Sequence, residues 1–274
     1  RSVSDLIGGR LRDRVPFSAY LFYRYPEDGV GGETTPEQMV EWTRQLIAEY
    51  GFRSVKLKGG VLAPDHDVAV IRALREALGP ELGLRVDPNG MWSRGAALQA
   101  AKDLEPYRLE YLEDPTWGLE GMARVKERTP IPLATNMCVA GFEHVAPAVA
   151  MNAVDVILSD IYYWEGIRGV KALSTICETF RWGLSMHSGS EFGVTLAAML
   201  HTAASLPNLT YDVDAHYHHL LDDVIVGGRM KYENGSIAVP PGPGLGVQLD
   251  EDRMARYVEL YEKKGDYYAR FHED

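Results

Sequence analysis

Three oxygen-bearing side chains, Asp87, Glu113 and Asn136, each follow a short apolar stretch that is typical of a strand. After Asp87, the run Pro88-Asn89-Gly90 favours a turn, because proline lacks a backbone donor and Asn-Gly suits tight turns. Carboxylate and amide oxygens are hard ligands that suit Mg²⁺ better than zinc. The three residues therefore predict a magnesium site if the fold brings them together.

Two lysines and a histidine–aspartate pair also lie at or near the ends of predicted strands. Lys56 and Lys58 are two residues apart and so share one face of a predicted strand. We expect their mutual repulsion, beside a cation, to lower the lysine pKa and provide a base at neutral pH. His187 ends another apolar segment, and Asp160 from the preceding segment is available to orient it. Such a set can remove a weakly acidic proton from carbon beside a carboxylate.

The elements that must position these side chains recur at a regular interval. Polar residues end the predicted strands at positions 58, 87, 113, 136, 160, 187 and 214, at intervals of 29, 26, 23, 24, 27 and 27. Each interval has room for one strand–helix–strand unit. We predict eight strands, near residues 18, 54, 83, 109, 131, 154, 182 and 209. The fold class is therefore α/β, and eight parallel units favour a closed TIM-type (β/α) barrel with the polar residues at one mouth.

The length of 274 residues suits one such barrel, since these barrels run to roughly 250 residues. We assign residues 17–249 to the barrel and residues 250–274 to a C-terminal helix and tail. Residues 1–16 are expected to form a charged lead-in without a packed element of its own.

Composition narrows the range of partners. The formal net charge of −11 argues against a nucleic acid or an anionic membrane, because either would need a basic face. No run is apolar enough to span a membrane, and no signal peptide is recognised. Cys138 and Cys177 give no disulfide framework. We therefore expect a small-molecule partner and a reducing, cytoplasmic location.

Each feature alone also has a purely structural explanation. Lys-x-Lys can protect a sheet edge, and a histidine at a strand end can serve as a structural hydrogen-bonding group. Asp214 and His216 could tie down a loop. His216-x-His218-His219 could indicate a transition metal, but the usual zinc spacings are not seen. Only the joint arrangement favours an active site.

Together, Lys56-Leu57-Lys58, Asp87-Pro88-Asn89, Glu113-Asp114-Pro115, Asn136, Asp160 and His187 resemble the enolase superfamily, specifically its glucarate dehydratase subgroup. The resemblance implies a modified (β/α)7β barrel with Mg²⁺ on Asp87, Glu113 and Asn136. It implies Lys58 and His187 as bases on opposite faces of the substrate, with Asp160 behind His187. It also implies that contacts to the substrate or its carboxylates come from Tyr20, Lys56, Asn89, Asn136, Ser188, Asp214, His216 and Arg270.

The activity implied by the resemblance is that of a Mg²⁺-dependent acid-sugar dehydratase, a hydro-lyase. D-glucarate, L-idarate or a related hexarate would lose water to give a 2-keto-3-deoxy acid, 5-dehydro-4-deoxyglucarate in the case of D-glucarate. The same two bases would also serve a racemase or epimerase, which returns the proton without elimination. The capping domain of the family is not recognised in this chain, so a non-catalytic barrel is a third hypothesis. A homo-oligomer is expected. Gly189 lies where the glucarate enzymes carry an amide side chain, so the identity of the sugar is left open.

Overall fold

A computed structural model describes residues 1–26, 30–214 and 216–265 of the chain. Its central feature is a set of eight parallel strands: β1 Arg14–Phe22, β2 Ser54–Lys58, β3 Gly83–Asp87, β4 Tyr111–Glu113, β5 Leu133–Thr135, β6 Val156–Ser159, β7 Gly183–Met186 and β8 Val213–Asp214. A further strand pair, β9 Tyr232–Glu233 and β10 Ser236–Ala238, is antiparallel. Neighbouring parallel strands follow each other along the chain from β1 to β7.

The helices alternate with the strands. They are α1 Val3–Leu6, α2 Pro36–Tyr50, α3 Pro64–Leu78, α4 Arg94–Leu104, α5 Leu119–Lys126, α6 Val145–Met151, α7 Gly166–Phe180, α8 Gly193–Ala204 and α9 Glu251–Lys264. Seven of them, α2 to α8, each lie between two consecutive parallel strands. This order is that of the predicted (β/α)7β barrel, and the prediction of fold class is confirmed.

The barrel closes between β7, β8 and β1. Val213 and Asp214 of β8 pair in parallel with Phe17 and Ser18 of β1. On the other side, Thr210 N donates to the carbonyl of Leu184 in β7 at 2.8 Å. The last strand is shorter than the segment predicted near residue 209, since the hydroxyl of Ser185 donates to the carbonyls of residues 211 and 212. A side chain thus replaces part of the backbone ladder.

The start of the chain is more ordered than predicted. Ser2 and Asp5 form a capping box at α1, and Ser4 N donates to His201 Nδ1 at 3.3 Å. β1 begins at Arg14 because its first residues pair antiparallel with β10, with Arg14 opposite Ala238. The expectation that residues 1–16 contain no packed element is therefore wrong.

Helix ends follow the local sequence signals. Thr35 caps α2 in a capping box with Gln38, Pro36 occupies the first turn, and Gly51 ends the helix at φ +76°. This position favours glycine, because a residue without a Cβ adopts the left-handed conformation at little cost. Ser93 similarly caps α4 through the backbone N–H of Ala96. These caps set where each helix returns the chain to the barrel.

The barrel interior contains an apolar cluster and a group of charged side chains. Tyr111, Ala134, Val156 and Leu158 form the small apolar cluster. Next to it, with Arg85 5.0 Å from the ring centroid of Tyr111, the fully buried Lys56, Arg85 and Asp214 form the charged half of the interior. Since parallel barrel strands present alternate residues to the interior, this charged half continues to the carboxyl ends of the strands. No helix within the described ranges is long and apolar enough to cross a membrane.

Candidate active site

The predicted site residues come to the carboxyl ends of the barrel strands, an end called the mouth below. Lys58, Asp87 and Glu113 are the last residues of β2, β3 and β4. Asn136, Asp160 and His187 directly follow β5, β6 and β7, and Asp214 ends β8. The ends of parallel barrel strands meet at one face, which is where barrel enzymes bind their substrates.

Lys58 and Asp87 form an ion pair at the mouth. The ammonium of Lys58 donates to Asp87 and, at 3.1 Å, to Asn89 Oδ1. The backbone N–H of Asn89 donates to Asp87 Oδ1 at 2.8 Å, which the turn permits because Asn89 has a φ of +51°. Burial opposes the charge of Asp87, but the ammonium groups of Lys58 and Lys56 outweigh it and lower its pKa. The turn therefore holds an ionised carboxylate and an amide around Lys58.

Lys56 lies one layer deeper and is completely buried. Its ammonium donates to Glu113 Oε2 at 2.6 Å and to the carboxylate of Asp214. Burial disfavours the charged lysine, but Asp214 and Glu113 together raise its pKa well above the ordinary value. The prediction that lysine–lysine repulsion lowers the pKa is thus wrong for Lys56. Its partners come from β4 and β8, which the local sequence does not reveal.

Among the carboxylate and amide oxygens at the mouth, Glu113 Oε1 and Asn136 Oδ1 are buried and have no hydrogen-bond partner among the residues that the structure describes. Burial and the negative charge of Asp87 also raise the pKa of Glu113 well above its usual range, although Lys56 and Lys58 oppose this. Buried acceptors without donors are costly unless something binds them. A hard cation would satisfy both oxygens, and the donor set of two carboxylates and one amide fits Mg²⁺.

Asp114, whose role the sequence did not reveal, holds Asn136 in place. Its Oδ2 accepts from the backbone N–H of Asn136 at 2.9 Å and of Met137 at 3.2 Å. Its Oδ1 accepts from the hydroxyl of Thr135 at 2.5 Å. Burial and the nearby Asp87 raise its pKa to about 6, although these three donors oppose the shift. Asp114 therefore supports the amide from behind rather than facing the mouth.

His187 and Asp160 are brought together as predicted. His187 Nδ1 lies 3.4 Å from Asp160 Oδ2, and the other oxygen of Asp160 accepts from the backbone N–H groups of Tyr162 and Tyr163 at 2.8 and 2.7 Å. Asp160 is therefore fixed by its own loop before it meets the imidazole. When Nδ1 donates to Asp160, Nε2 of His187 is left to accept or return a proton.

Tyr20 and His216 form one wall of the mouth. The Tyr20 ring centroid lies 4.8 Å from Lys56 Nζ and 5.5 Å from Lys58 Nζ, within the range of cation–π attraction. Its ring meets that of His216 edge-on, with centroids 4.7 Å apart. The Tyr20 hydroxyl is buried and has no partner within the described part of the chain. Burial, then the positive charge of Lys58, lowers the pKa of His216 to about 3.

Behind this wall, Ser188 bonds to Glu191, a residue that sequence reasoning missed. Ser188 Oγ donates to Glu191 Oε2 at 2.6 Å, and both side chains are about 1% exposed. The signal that could have found Glu191 is the Ser-x-x-Glu spacing before an apolar run, which is typical of a capping box. Here the two side chains bond to each other instead of capping α8.

The remaining candidates lie elsewhere. Arg270 is outside the described residues. The Nε2 atoms of His218 and His219 lie 3.4 and 3.1 Å from the backbone carbonyl of Tyr20. These contacts give the two imidazoles a structural role beneath Tyr20.

Comparisons with known proteins agree with this geometry. The family profile described as "Enolase C-terminal domain-like" matches residues 38–253. A protein from Streptomyces coelicolor named "Probable glucarate dehydratase" is 45% identical over 262 residues, which cover 92% of this chain and 60% of that protein. The chain therefore spans less than two thirds of this relative's length.

Two solved structures are also similar. An enolase from Mycobacterium smegmatis complexed with tartrate is 49% identical, with a TM-score of 0.92, over 97% of this chain and 65% of that one. An enolase from Gibberella zeae complexed with magnesium, formate and sulfate is 45% identical, with a TM-score of 0.92, over 97% of this chain and 64% of that one. The profile match, which extends over more than half of the chain, shows that the chain belongs to the enolase C-terminal domain-like family.

Proposed function

We propose that this barrel carries the active site of an acid-sugar dehydratase that acts on a hexarate such as D-glucarate or L-idarate. The observation that carries the proposal is the combination, at one mouth, of two candidate bases with two buried oxygens that need a cation. Lys58 pairs with Asp87, His187 pairs with Asp160, and Glu113 Oε1 and Asn136 Oδ1 have no donor among the described residues.

Asp87, Glu113 and Asn136 would hold Mg²⁺ in this site. When bound, Mg²⁺ supplies positive charge that stabilises the negative charge developing on a substrate carboxylate. The buried ammonium of Lys56 adds a fixed positive charge in the same region, since Asp214 and Glu113 keep it protonated. These charges make the proton on the carbon beside the carboxylate easier to remove.

Lys58 or His187 would then take that proton, Lys58 in its neutral amine form or His187 through Nε2. The imidazolium of His187, stabilised by Asp160, would donate a proton to the neighbouring hydroxyl as its C–O bond breaks. Water leaves, and the enol tautomerises to the 2-keto-3-deoxy acid. A His–Asp pair suits this exchange because imidazole gains and loses a proton near neutral pH.

Two findings on related proteins support the substrate class. The Streptomyces coelicolor relative bears the name "Probable glucarate dehydratase". The Mycobacterium smegmatis structure was obtained as a complex with tartrate, a hydroxy dicarboxylate.

The test is a screen of hexarates with the purified chain and Mg²⁺ in D₂O. We expect release of a 2-keto acid from at least one hexarate, lost on adding EDTA and in Lys58→Met and His187→Asn. Lys102→Met is the matched control, because Lys102 is exposed on α4, and it should retain activity. If neither keto acid nor exchange of the α-proton appears while Mg²⁺ binds, the chain does not carry this activity by itself.

The paired bases also permit a racemase or epimerase, and the same experiment separates the two. An epimerase would incorporate deuterium at the α-carbon and invert it, without releasing keto acid. A dehydratase would release keto acid from the substrate whose α-proton it removes. The fate of the β-hydroxyl therefore decides between them.

A further inference from the structure

The cluster of Ser188, Glu191 and His216 beside the mouth has a complete set of short hydrogen bonds. Ser188 Oγ lies 2.6 Å from Glu191 Oε2 and 2.8 Å from His216 Nδ1. The backbone N–H of His216 also donates to Ser188 Oγ, at 3.0 Å. The backbone N–H of Gly189 donates to Glu191 Oε1 at 2.6 Å. The Ser188 hydroxyl, both oxygens of Glu191 and Nδ1 of His216 therefore each have a partner whose role as donor or acceptor can be worked out.

The count of protons fixes the direction of each bond. A serine hydroxyl has one proton to donate and two lone pairs to accept with, and an ionised carboxylate can only accept. With Glu191 ionised, its Oε2 receives the Ser188 proton; burial raises the pKa of this carboxyl, and the hydrogen bonds from Ser188 and from Gly189 N oppose that rise. One lone pair of Ser188 accepts from His216 N, and the other must face His216 Nδ1. Nδ1 of His216 is therefore the protonated ring nitrogen.

We propose that Glu191, acting through Ser188, fixes His216 as the neutral tautomer protonated on Nδ1, so that Nε2 presents a lone pair to the substrate and binds one of its hydroxyl groups. Glu191 is thus a positioning residue, and His216 determines specificity. The proposal deepens the proposed function and rests on it for the substrate class only. The imidazole stays neutral because burial, with the nearby cations, lowers its pKa to about 3.

The surroundings of His216 place the ring beside the reacting groups. It stacks on Phe22, with centroids 5.3 Å apart, and meets Tyr20 edge-on at 4.7 Å. The positive charges that act on it include those of Lys58 and Lys56, which belong to the mouth. No hydrogen bond to Nε2 occurs among the described residues.

The lone pair on Nε2 of His216 selects among the groups that a substrate can present. A carboxylate oxygen has only lone pairs and would be repelled by the lone pair of Nε2, whereas a hydroxyl can donate to it. The carboxylate of an acid sugar is therefore directed towards the lysines and the metal ligands, and a hydroxyl towards His216. A hydroxy acid fits the site and a plain dicarboxylate leaves Nε2 unpaired.

The first test is the tautomer itself, read from ¹⁵N NMR of the histidine-labelled chain, with His216 assigned by its loss in His216→Asn. An unprotonated ring nitrogen resonates far downfield of a protonated one, so the two tautomers are distinct. We expect Nδ1 protonated and Nε2 unprotonated. A protonated Nε2 in the wild-type chain would overturn the proposal, whether or not the chain is active on any hexarate.

Glu191→Gln tests the control by Glu191. Glutamine keeps the shape but has one acceptor oxygen, which the fixed N–H of Gly189 requires. Its amide then donates to Ser188, whose hydroxyl must turn to donate to His216 Nδ1, so the proton moves to Nε2. Inversion of the tautomer supports the proposal, and an unchanged tautomer overturns it. Glu178→Gln, exposed on α7, should leave the spectrum of His216 unchanged.

Ligand titration tests the hydroxyl. Tartrate with Mg²⁺ should shift the Nε2 resonance upfield as it accepts a hydrogen bond. Succinate, which has the same two carboxylates without hydroxyls, should leave it in place. If tartrate leaves Nε2 unshifted, or succinate shifts it equally, the assignment of a hydroxyl to His216 is wrong. Because no turnover is involved, this outcome is separate from failure of the dehydratase proposal.

Discussion

Arg85 offers a direct test of the charged half of the barrel. The residue is fully buried, and its Nε donates to Glu110 Oε2 at 2.7 Å. Its Nη1 donates to the carbonyl of Asp212 at 2.9 Å and faces Asp214 Oδ1 at 3.4 Å. The guanidinium lies 5.0 Å from the ring centroid of Tyr111. Arg85→Met would keep most of the volume and remove all three polar contacts.

The loss of stability expected for Arg85→Met depends on the contacts that Asp214 and Glu110 retain. Removing one member of a buried ion pair costs about 3–5 kcal/mol, because the other charge stays buried without a partner. The lower end applies here, since Asp214 retains the ammonium of Lys56 and the side chain of Glu110 is 32% exposed. We therefore expect a loss of about 3 kcal/mol in the free energy of unfolding.

Urea denaturation followed by circular dichroism measures this loss. With a slope of about 3 kcal/mol/M, the midpoint should fall by about 1 M. Arg72→Met, exposed on α3, is the matched control and should stay within about 0.5 kcal/mol of wild type. Arg85→Met and Asp214→Asn combined should cost less than their sum, because they share one interaction. If Arg85→Met behaves like Arg72→Met, the buried charges are not coupled as described.

Three further predictions concern other parts of the site. Burial lowers the pKa of His219 to about 4, so this residue alone should take about 2–3 kcal/mol from the stability as the pH drops from 6.5 to 4, because the unfolded state binds the proton more tightly. Denaturation of His219→Gln at both pH values should therefore show a pH dependence smaller by that amount. Gly60→Ala should destabilise the protein more than Gly79→Ala, by at least about 1 kcal/mol. Both glycines have positive φ, but a Cβ at Gly60 would lie 2.4 Å from the carbonyl oxygen of Pro88, whereas a Cβ at Gly79 would meet nothing within 4 Å. Equal losses of stability in thermal melts would contradict this. Mg²⁺ should raise the melting temperature of the wild type but not of Glu113→Gln, and an equal rise in both would remove Glu113 from the metal site.

The sequence predicted the strand ends well because each is marked locally. Asp87 is followed by Pro-Asn-Gly, which cannot continue a strand, and Glu113 and Asn136 follow apolar residues at a similar interval. Repetition of eight such units favours a closed barrel over a doubly wound sheet. The residues at the mouth could therefore be placed together without knowledge of their contacts.

What could not be predicted depends on contacts between distant strands. The pKa of Lys56 is raised by Asp214, which lies 158 residues further along the chain. The Ser-x-x-Glu signal at Ser188 is local, but its use depends on His216, brought beside it 28 residues later by β8. Local patterns give the position of a side chain along an element, and the closed barrel decides which charges meet inside it.

The buried charges form one alternating series through the barrel. From the deep end they run Glu110, Arg85, Asp214, Lys56 and Glu113, and each neighbouring pair is in contact. Each buried cation thus lies between two carboxylates, an arrangement that offsets the desolvation of the ions. The series ends at Glu113 Oε1, the one atom of that carboxylate with no partner among the described residues. The charges of the series are therefore paired from the deep end up to the mouth, although Nη2 of Arg85 has no hydrogen-bond partner among the described residues. At the mouth end, the unpaired Glu113 Oε1 and Asn136 Oδ1 are the atoms that a cation would bind.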